Sequence, residues 1–259
     1  MAEKAYSKKD DAIRRGEGYM TGNSHQGIGS KRIKVATYNI HGWIGTDQRQ
    51  MPLRAIRVIG ELGADIVALQ EANFSLEQGG HLDETFFSTL TDMEVILGPT
   101  FFKYALHYGN VLLSRFPIVR FHRIDLSAHP YEPRGAIDAL IRIDGTTIRV
   151  LTAHLGLRAV ERKFQADMLM QTLSSDFQGT VIILGDFNEW TLRRAALKRL
   201  YSLFGKTKSP RTFPSFLPIF SLDRIMVSPP GSLVRIQAHR SLDIIMASDH
   251  LPVTGIIEI

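Results

Sequence analysis

The stretch "VIILGDFNEW", Val181 to Trp190, runs four β-prone apolar residues directly into Gly185, Asp186, Phe187 and Asn188. A short continuous apolar block of this kind reads as a strand buried on both faces. Side chains alternate along a strand, so an extended backbone kept up to Asn188 would turn Asp186 and Asn188 to one side and Phe187 to the other, into the core. The expectation is a strand end at which an acid and an amide converge on one point.

The same grammar, a hydrophobic run adjoining a polar group able to act as a ligand, recurs elsewhere. "VATYNIHG" carries Asn39, "IVALQEAN" Glu71, "IRVLTAHLG" His154, "FSLDRIMV" Asp223, and "MASDHLPV" Asp249 with His250. Taken singly, each has an ordinary structural explanation as a turn, a cap or a hydrogen-bonded core group. Together they imply strand ends that meet in one site. Carboxylate and amide oxygens without thiolates suit Mg²⁺ or Mn²⁺. Such an ion stabilises phosphate charge, while a histidine beside a carboxylate can orient and deprotonate a water.

The chain has 259 residues, no cysteine and 44% hydrophobic residues, enough for one large core and no disulfides. No apolar signal region or run of membrane-spanning length is present, so a cytoplasmic, soluble protein without a transmembrane segment is expected. Residues 1–34 carry eight basic against four acidic groups, and the remaining 225 carry 23 against 22. The net charge of +5 therefore sits mostly near the N-terminus, and the body has no strong signature of phosphate-backbone binding.

Residues 1–30 are polar, Gly-rich and aperiodic and read as a flexible extension, with one domain over 31–259. Strands are expected at Ile33–Ile40, Ile66–Leu69, Val111–Leu113, Gly135–Ile143, Thr147–Ala153, Thr180–Leu184, Leu222–Val227 and Leu251–Ile257. Leu53, Ile56, Ile59 and Leu62 predict one amphipathic helix, and Val160, Phe164, Met168, Leu169 and Leu173 another. Asp144-Gly145 between two β runs predicts a tight hairpin. The pattern implies two packed mixed sheets flanked by helices, an α+β four-layer sandwich.

With these pieces in order, the chain from about residue 33 resembles the endonuclease/exonuclease/phosphatase superfamily, the DNase I-like fold. "GDFN" at 185–188 and "SDHLPV" at 248–253 carry most of the resemblance. "LQE" at 69–71, "GNVLLSR" at 109–115 and "LDRI" at 222–225 support it, and "HLGLR" at 154–158 with "RTFPSFLPIFSLDRI" at 211–225 resembles a bacterial branch. The resemblance implies that Glu71 is the principal ligand of Mg²⁺ or Mn²⁺, with Asn39 and Asp249 at the same ion. It implies that Asp186 and Asn188 position or activate the water and contact phosphate, that His154 binds the phosphate and stabilises charge in the transition state, and that His250 is the general base or its electrostatic equivalent, oriented by Asp223.

Substrate identity divides between nucleic acid, DNA or RNA, and a phospholipid headgroup phosphodiester with peripheral membrane contact. His41, in place of the acid or amide usual two positions after the first Asn in AP endonucleases, argues against AP-site repair. His41, Asn110 and Arg134 are the expected substrate-binding residues, with His107, Tyr108 and Arg115 as weaker ones. Phe213, Phe216, Leu217, Ile219 and Phe220, spaced by prolines, either pack under a rigid loop or form an apolar lip at the mouth. The alternative to an enzyme is a catalytically inactive phosphate- or lipid-binding scaffold of the same fold.

Overall fold

Two parts of the chain repeat one plan of strand, helix and parallel strand. In the first, β1 (Arg32–Asn39) leads through α1 (Pro52–Leu62) to β2 (Ile66–Phe74), which pairs parallel with β1. Then follow α2 (Glu84–Thr91), β3 (Glu94–Lys103), β4 (Leu106–Ser114), β5 (Ile118–Asp125) and β6 (Gly135–Ile143). The second unit runs from β7 (Thr146–His154) through α3 (Ala159–Leu173) to β8 (Val181–Asp186), again parallel. The chain closes with α4 (Ala195–Phe204), β9 (Asp223–Ser228), β10 (Leu233–Ala238), α5 (Leu242–Ala247) and β11 (Val253–Glu258). The computed structural model describes residues 31–103, 105–173, 177–190 and 195–259, so the extension expected over 1–30 lies outside the described residues. Residues 31–259 form one unit, and no described helix is long and apolar enough to cross a membrane.

One sheet has the order β10-β11-β1-β2-β4-β3 and the other β5-β6-β7-β8-β9, each mixed, with its parallel pair inside. Strand alternation sorts the apolar residues into three layers. Ile33, Val35, Ile66, Ala68 and Leu112 of the first sheet meet Ile137, Ile141, Val150, Ile182, Leu184 and Ile225 of the second between the sheets. Outside the first sheet, Ala36, Tyr38, Val67 and Leu69 pack against α1, α2 and α5. Outside the second, Leu151, Ala153, Ile183 and Phe187 pack against α3 and α4. The result is the expected sandwich of helices, sheet, sheet and helices.

Asp144 and Gly145 both take positive φ, 45° and 86°, giving the tight turn that joins β6 to β7. In α1 the expected face is buried through Ile56, Ile59 and Leu62, with Ala55 and Val58 beside it, while Leu53 is exposed. Each fully buried aliphatic side chain of this kind contributes about 1.5–3 kcal/mol. Helix α3 departs from expectation. Val160 and Phe164 face solvent, and the buried face is Glu161, Arg162, Gln165, Ala166, Leu169 and Leu173. The cause is a demand for polar partners: Gln165 accepts from Gly156 N at 2.8 Å and donates to Leu126 O at 3.0 Å. Arg162 donates to Leu157 O at 2.6 Å and to Glu189 at 3.0 Å. The helix is turned so that these side chains satisfy the loop after β7 and the segment after β8.

Candidate active site

Both parallel pairs deliver their C-terminal ends to the same edge of the sandwich. Asn39 ends β1 opposite Gln70 of β2. Across the other sheet, pairing sets His154, Asp186 and Asp223 side by side on three adjacent strands, about 4.8 Å from strand to strand. Gly185 permits this spacing, since a Cβ there would lie 1.9 Å from the Ala153 carbonyl oxygen. Asp249 and His250 lie just ahead of β11, separated from it by Leu251 and Pro252, and Val253 of β11 pairs with Thr37 near the end of β1.

Glu71 reaches the site by a local break. The β2–β4 register shifts between Leu69 and Ala72, and Glu71 has φ 58°. This bulge inserts one residue, so the outer core takes Val67 and Leu69 before it and Ala72 and Phe74 after it. Glu71 is thereby set free of the alternation and turned to the mouth.

Asp186 and Asn188 converge, but not by the route expected from strand alternation. The strand stops at Asp186, and Asn188 has φ 47°. Asp186 Oδ1 accepts from the Asn188 backbone N–H at 2.9 Å, closing a side-chain turn. Asn188 Nδ2 then meets His154 Nε2 at 3.1 Å and donates to Leu155 O at 2.9 Å. Phe187 is buried as expected.

Asn39 turns its amide nitrogen to two acids from different sheets, donating to Glu71 Oε1 at 2.9 Å and Asp186 Oδ2 at 3.0 Å. Its oxygen accepts from His41 N at 3.1 Å. In this arrangement Asn39 spaces the carboxylates. His41 Nδ1 lies 3.0 Å from Asp249, and that hydrogen bond raises its pKa above the ordinary histidine range. Burial pushes Asp249 upward, but the hydrogen bond from His41 and the nearby His250 outweigh it and leave the carboxyl low.

His250 Nδ1 bonds Asp223 Oδ2 at 2.9 Å, and its Nε2 is 3.8 Å from Asp186 Oδ2. Burial opposes its charge, but Asp223 and Asp186 outweigh burial and raise its pKa to about 10. Asp186, fully enclosed, is raised to about 6, chiefly by burial and against the pull of His250. His154 moves the other way. Burial, then Arg134 3.5 Å from Nδ1, then His250 hold it well below the usual range.

These groups line one open cavity of about 740 Å³: Glu71 and Asp249 partly exposed, His154, Asp186, Asn188 and His250 buried in its wall. Arg134 and His41 also line it, whereas Asn110 does not. Asn110 is buried and donates to Gly135 O at 2.7 Å, bonding β4 to β6, so its expected place at the mouth is not met. Arg115 reaches back to Ala64 O, and His107 packs on Phe74 and Phe102. Tyr108 does line the cavity, and burial with the adjacent Glu71 keeps its phenol protonated. The sequence reading assigned no role to Ser248, whose hydroxyl donates to Asn39 O at 2.7 Å and accepts from His250 N at 3.2 Å. Trp190 and Leu157 were also missed. Both complete the cavity lining.

The donor set fits a hard divalent cation. Glu71 and Asp249 are partly open to the cavity, Asp186 lies behind them, and all offer oxygen. Asp186, Asp223 and His250 also place one ligating atom each within 4.8 Å of one another. In that trio Asp223 is fully buried and its Oδ2 is taken by His250 Nδ1, so the oxygens of Glu71 and Asp249 that open to the cavity are the better seat.

Comparisons agree with this geometry. Residues 36–250 match the Endonuclease/Exonuclease/phosphatase family. The uncharacterized Escherichia coli (strain K12) protein YbhP is 30% identical over 247 residues, covering 86% of this chain and 95% of that protein. Among solved structures, an endonuclease/exonuclease/phosphatase from Beutenbergia cavernae DSM 12333 superposes with a TM-score of 0.70 at 20% identity, over 88% of this chain and 72% of that one. The Bacteroides thetaiotaomicron VPI-5482 mannosyl-6-phosphatase Bt3783 gives 0.66 at 19% identity, over 86% and 98%. The match over most of the described fold, with two mixed sheets converging on a carboxylate and histidine site, places the chain in the endonuclease/exonuclease/phosphatase family of phosphoester hydrolases, which are typically dependent on a divalent metal.

Proposed function

We propose that the chain is a phosphodiester hydrolase dependent on Mg²⁺ or Mn²⁺, acting on a nucleic-acid or phospholipid-type phosphodiester. The observation that carries this reading is the convergence of Asp186, Asn188, His154 and the His250–Asp223 pair on one open cavity beside Glu71 and Asp249. Glu71 and Asp249 would hold the ion, with Asn39 spacing the acids around it. When bound, the ion supplies charge neutralisation to the phosphate and the leaving oxygen.

The protein groups divide the remaining work by charge. His250 keeps its proton at neutral pH because Asp223 and Asp186 flank it, so it donates to a phosphate oxygen as negative charge builds. Asp186, with a pKa of about 6, is ionised at neutral pH yet basic enough to take the proton of the attacking water. This reading gives the base role to Asp186 and keeps for His250 the electrostatic one, the second of the two roles the family resemblance implies for it. The turn to Asn188 holds Asp186 in place, and Asn188 and neutral His154 orient the phosphate beside Arg134.

The test is metal-dependent release from plasmid DNA, RNA, bis-p-nitrophenyl phosphate, p-nitrophenyl phosphate and phospholipid vesicles, with Asp186→Asn as control. Diester hydrolysis that requires metal and vanishes in the variant supports the proposal. Hydrolysis confined to the monoester overturns it in favour of a phosphatase. A folded chain that binds Mn²⁺ without turnover of any ester is the inactive scaffold.

A further inference from the structure

The segment Thr212–Phe220 folds as a hairpin with its polarity reversed. Thr212 and Ser215 are buried, while Phe216 and Leu217 are each 62% exposed and Ile219 and Phe220 are exposed beside them. Poor anchoring is not the reason. Thr212 N donates to Phe220 O at 2.7 Å, and Ile219 N and Phe220 N both donate to Phe213 O at 2.9 Å. Its base is tied to the segment that carries Asp249 and His250, through Ser215 N to Asp249 O at 2.7 Å and Leu251 N to Thr212 O at 2.9 Å. A rigid element thus holds an apolar tip in water, where a cluster of this kind marks a contact surface.

The tip is continuous with the site. Trp190 meets Phe213 and Phe220 edge-on, with ring centroids 5.4 and 5.1 Å apart, and Phe213 lies 4.8 Å from the His250 ring. Charge selects the occupant. Exposed Arg211 adjoins the hairpin, exposed Arg240 donates to Phe216 O at 2.8 Å, and residues 205–220 contain no acid. A few projecting apolar side chains amid cations suit shallow insertion into an anionic lipid surface, whereas a stable protein interface needs about 20–30 residues a side.

We propose that the Thr212–Phe220 hairpin seats the protein on an anionic phospholipid surface with the catalytic cavity opening onto it, so that the phosphodiester is that of an amphipathic lipid. This rests on the phosphodiesterase reading for the substrate, though not for the docking. The experiment is sedimentation of the full chain, in EDTA, with vesicles of phosphatidylcholine alone or mixed with phosphatidylglycerol. The chain is compared with a Phe216→Ser/Leu217→Ser variant, and melting temperature and gel-filtration volume are measured for both. The expected result is binding to the mixed vesicles that weakens with added salt and falls at least tenfold in the variant at unchanged melting temperature. Wild-type chain left in the supernatant overturns the proposal, as does equal binding by the variant. A wild-type dimer that the variant dissolves also overturns it, making the hairpin a self-interface. Turnover of bis-p-nitrophenyl phosphate by the wild type with metal decides the phosphodiesterase reading separately, because the binding is read where no turnover occurs.

Discussion

His154 and His250 stand in one cavity, both almost wholly enclosed, and titrate in opposite directions. Asp186 Oδ2 is equally near both, 3.7 Å from His154 and 3.8 Å from His250, but the ring nitrogens of His154 face the donors Asn188 Nδ2 at 3.1 Å and Arg134 Nη1 at 3.5 Å. His250 Nδ1 instead bonds the Asp223 carboxylate at 2.9 Å, and that acid is what sets the two rings apart. Burial disfavours the charged form of both. The difference teaches that in a site of this kind the hydrogen-bonding partners, and not the depth, decide which imidazole is a cation.

The strongest way to break this contrast is to remove the cation. His250→Ala should lower kcat on a soluble diester by about a thousandfold, the scale of a lost charge-stabilising donor, with little change in KM. A fall of less than tenfold in steady-state kinetics would mean that the imidazolium is idle. Asp223→Asn is subtler and should cost about a hundredfold. It should also move the alkaline limb of kcat/KM, which His250 sets near its pKa of about 10, to lower pH. An unmoved limb would show that Asp223 does not hold the proton on His250. The acid limb, set by Asp186 near its pKa of about 6, should also move to lower pH, because the Asp223 charge helps to raise that carboxyl.

Arg134→Gln tests the other histidine. Removing the guanidinium should raise the pKa of His154 toward 6.5, read by NMR of the ring nitrogens, and raise KM about threefold to tenfold through a weaker hold on phosphate. A His154 titration that does not move would leave burial and the charge of His250 as the causes. The smallest effect is on stability. The depressed pKa of His154 makes its contribution whole above pH 6.5 and lost as pH falls below it. The raised pKa of His250 makes its contribution whole below pH 6.5 and lost as pH rises toward about 10. In thermal melts with EDTA, His154→Gln should therefore flatten the acid side of the Tm profile and His250→Gln the alkaline side, by about 2–4 °C for each kcal/mol removed. Identical profiles for the two variants would erase the contrast.

Much of the frame was legible because interior strands must be apolar on both faces. β1, β2, β4, β6, β7, β8, β9 and β11 all fall on expected runs. β3, β5 and β10, which lie at sheet edges, were not read. β5 is exposed along most of its length and β10 has no buried residue, so neither writes a hydrophobic pattern. The two helices diverge for a related reason. α1 packs apolar on apolar, and its spacing reports the buried face. α3 must also supply Arg162 and Gln165 to backbone groups after β7, and no periodicity announces that need.

The chain itself determined which residue types stand at the strand ends and in what order, because apolar runs stop where polar groups begin whatever lies beyond. Tertiary structure decided what those groups became. The bulge that frees Glu71, the turn that brings Asn188 back to His154, and the opposite charge states of two buried histidines arise from neighbours far away in sequence. The exposed Thr212–Phe220 tip belongs with them, since composition alone leaves open whether its rings pack or project. Local pattern encodes burial period, while charge and orientation depend on distances to partners that only the folded sheets bring together.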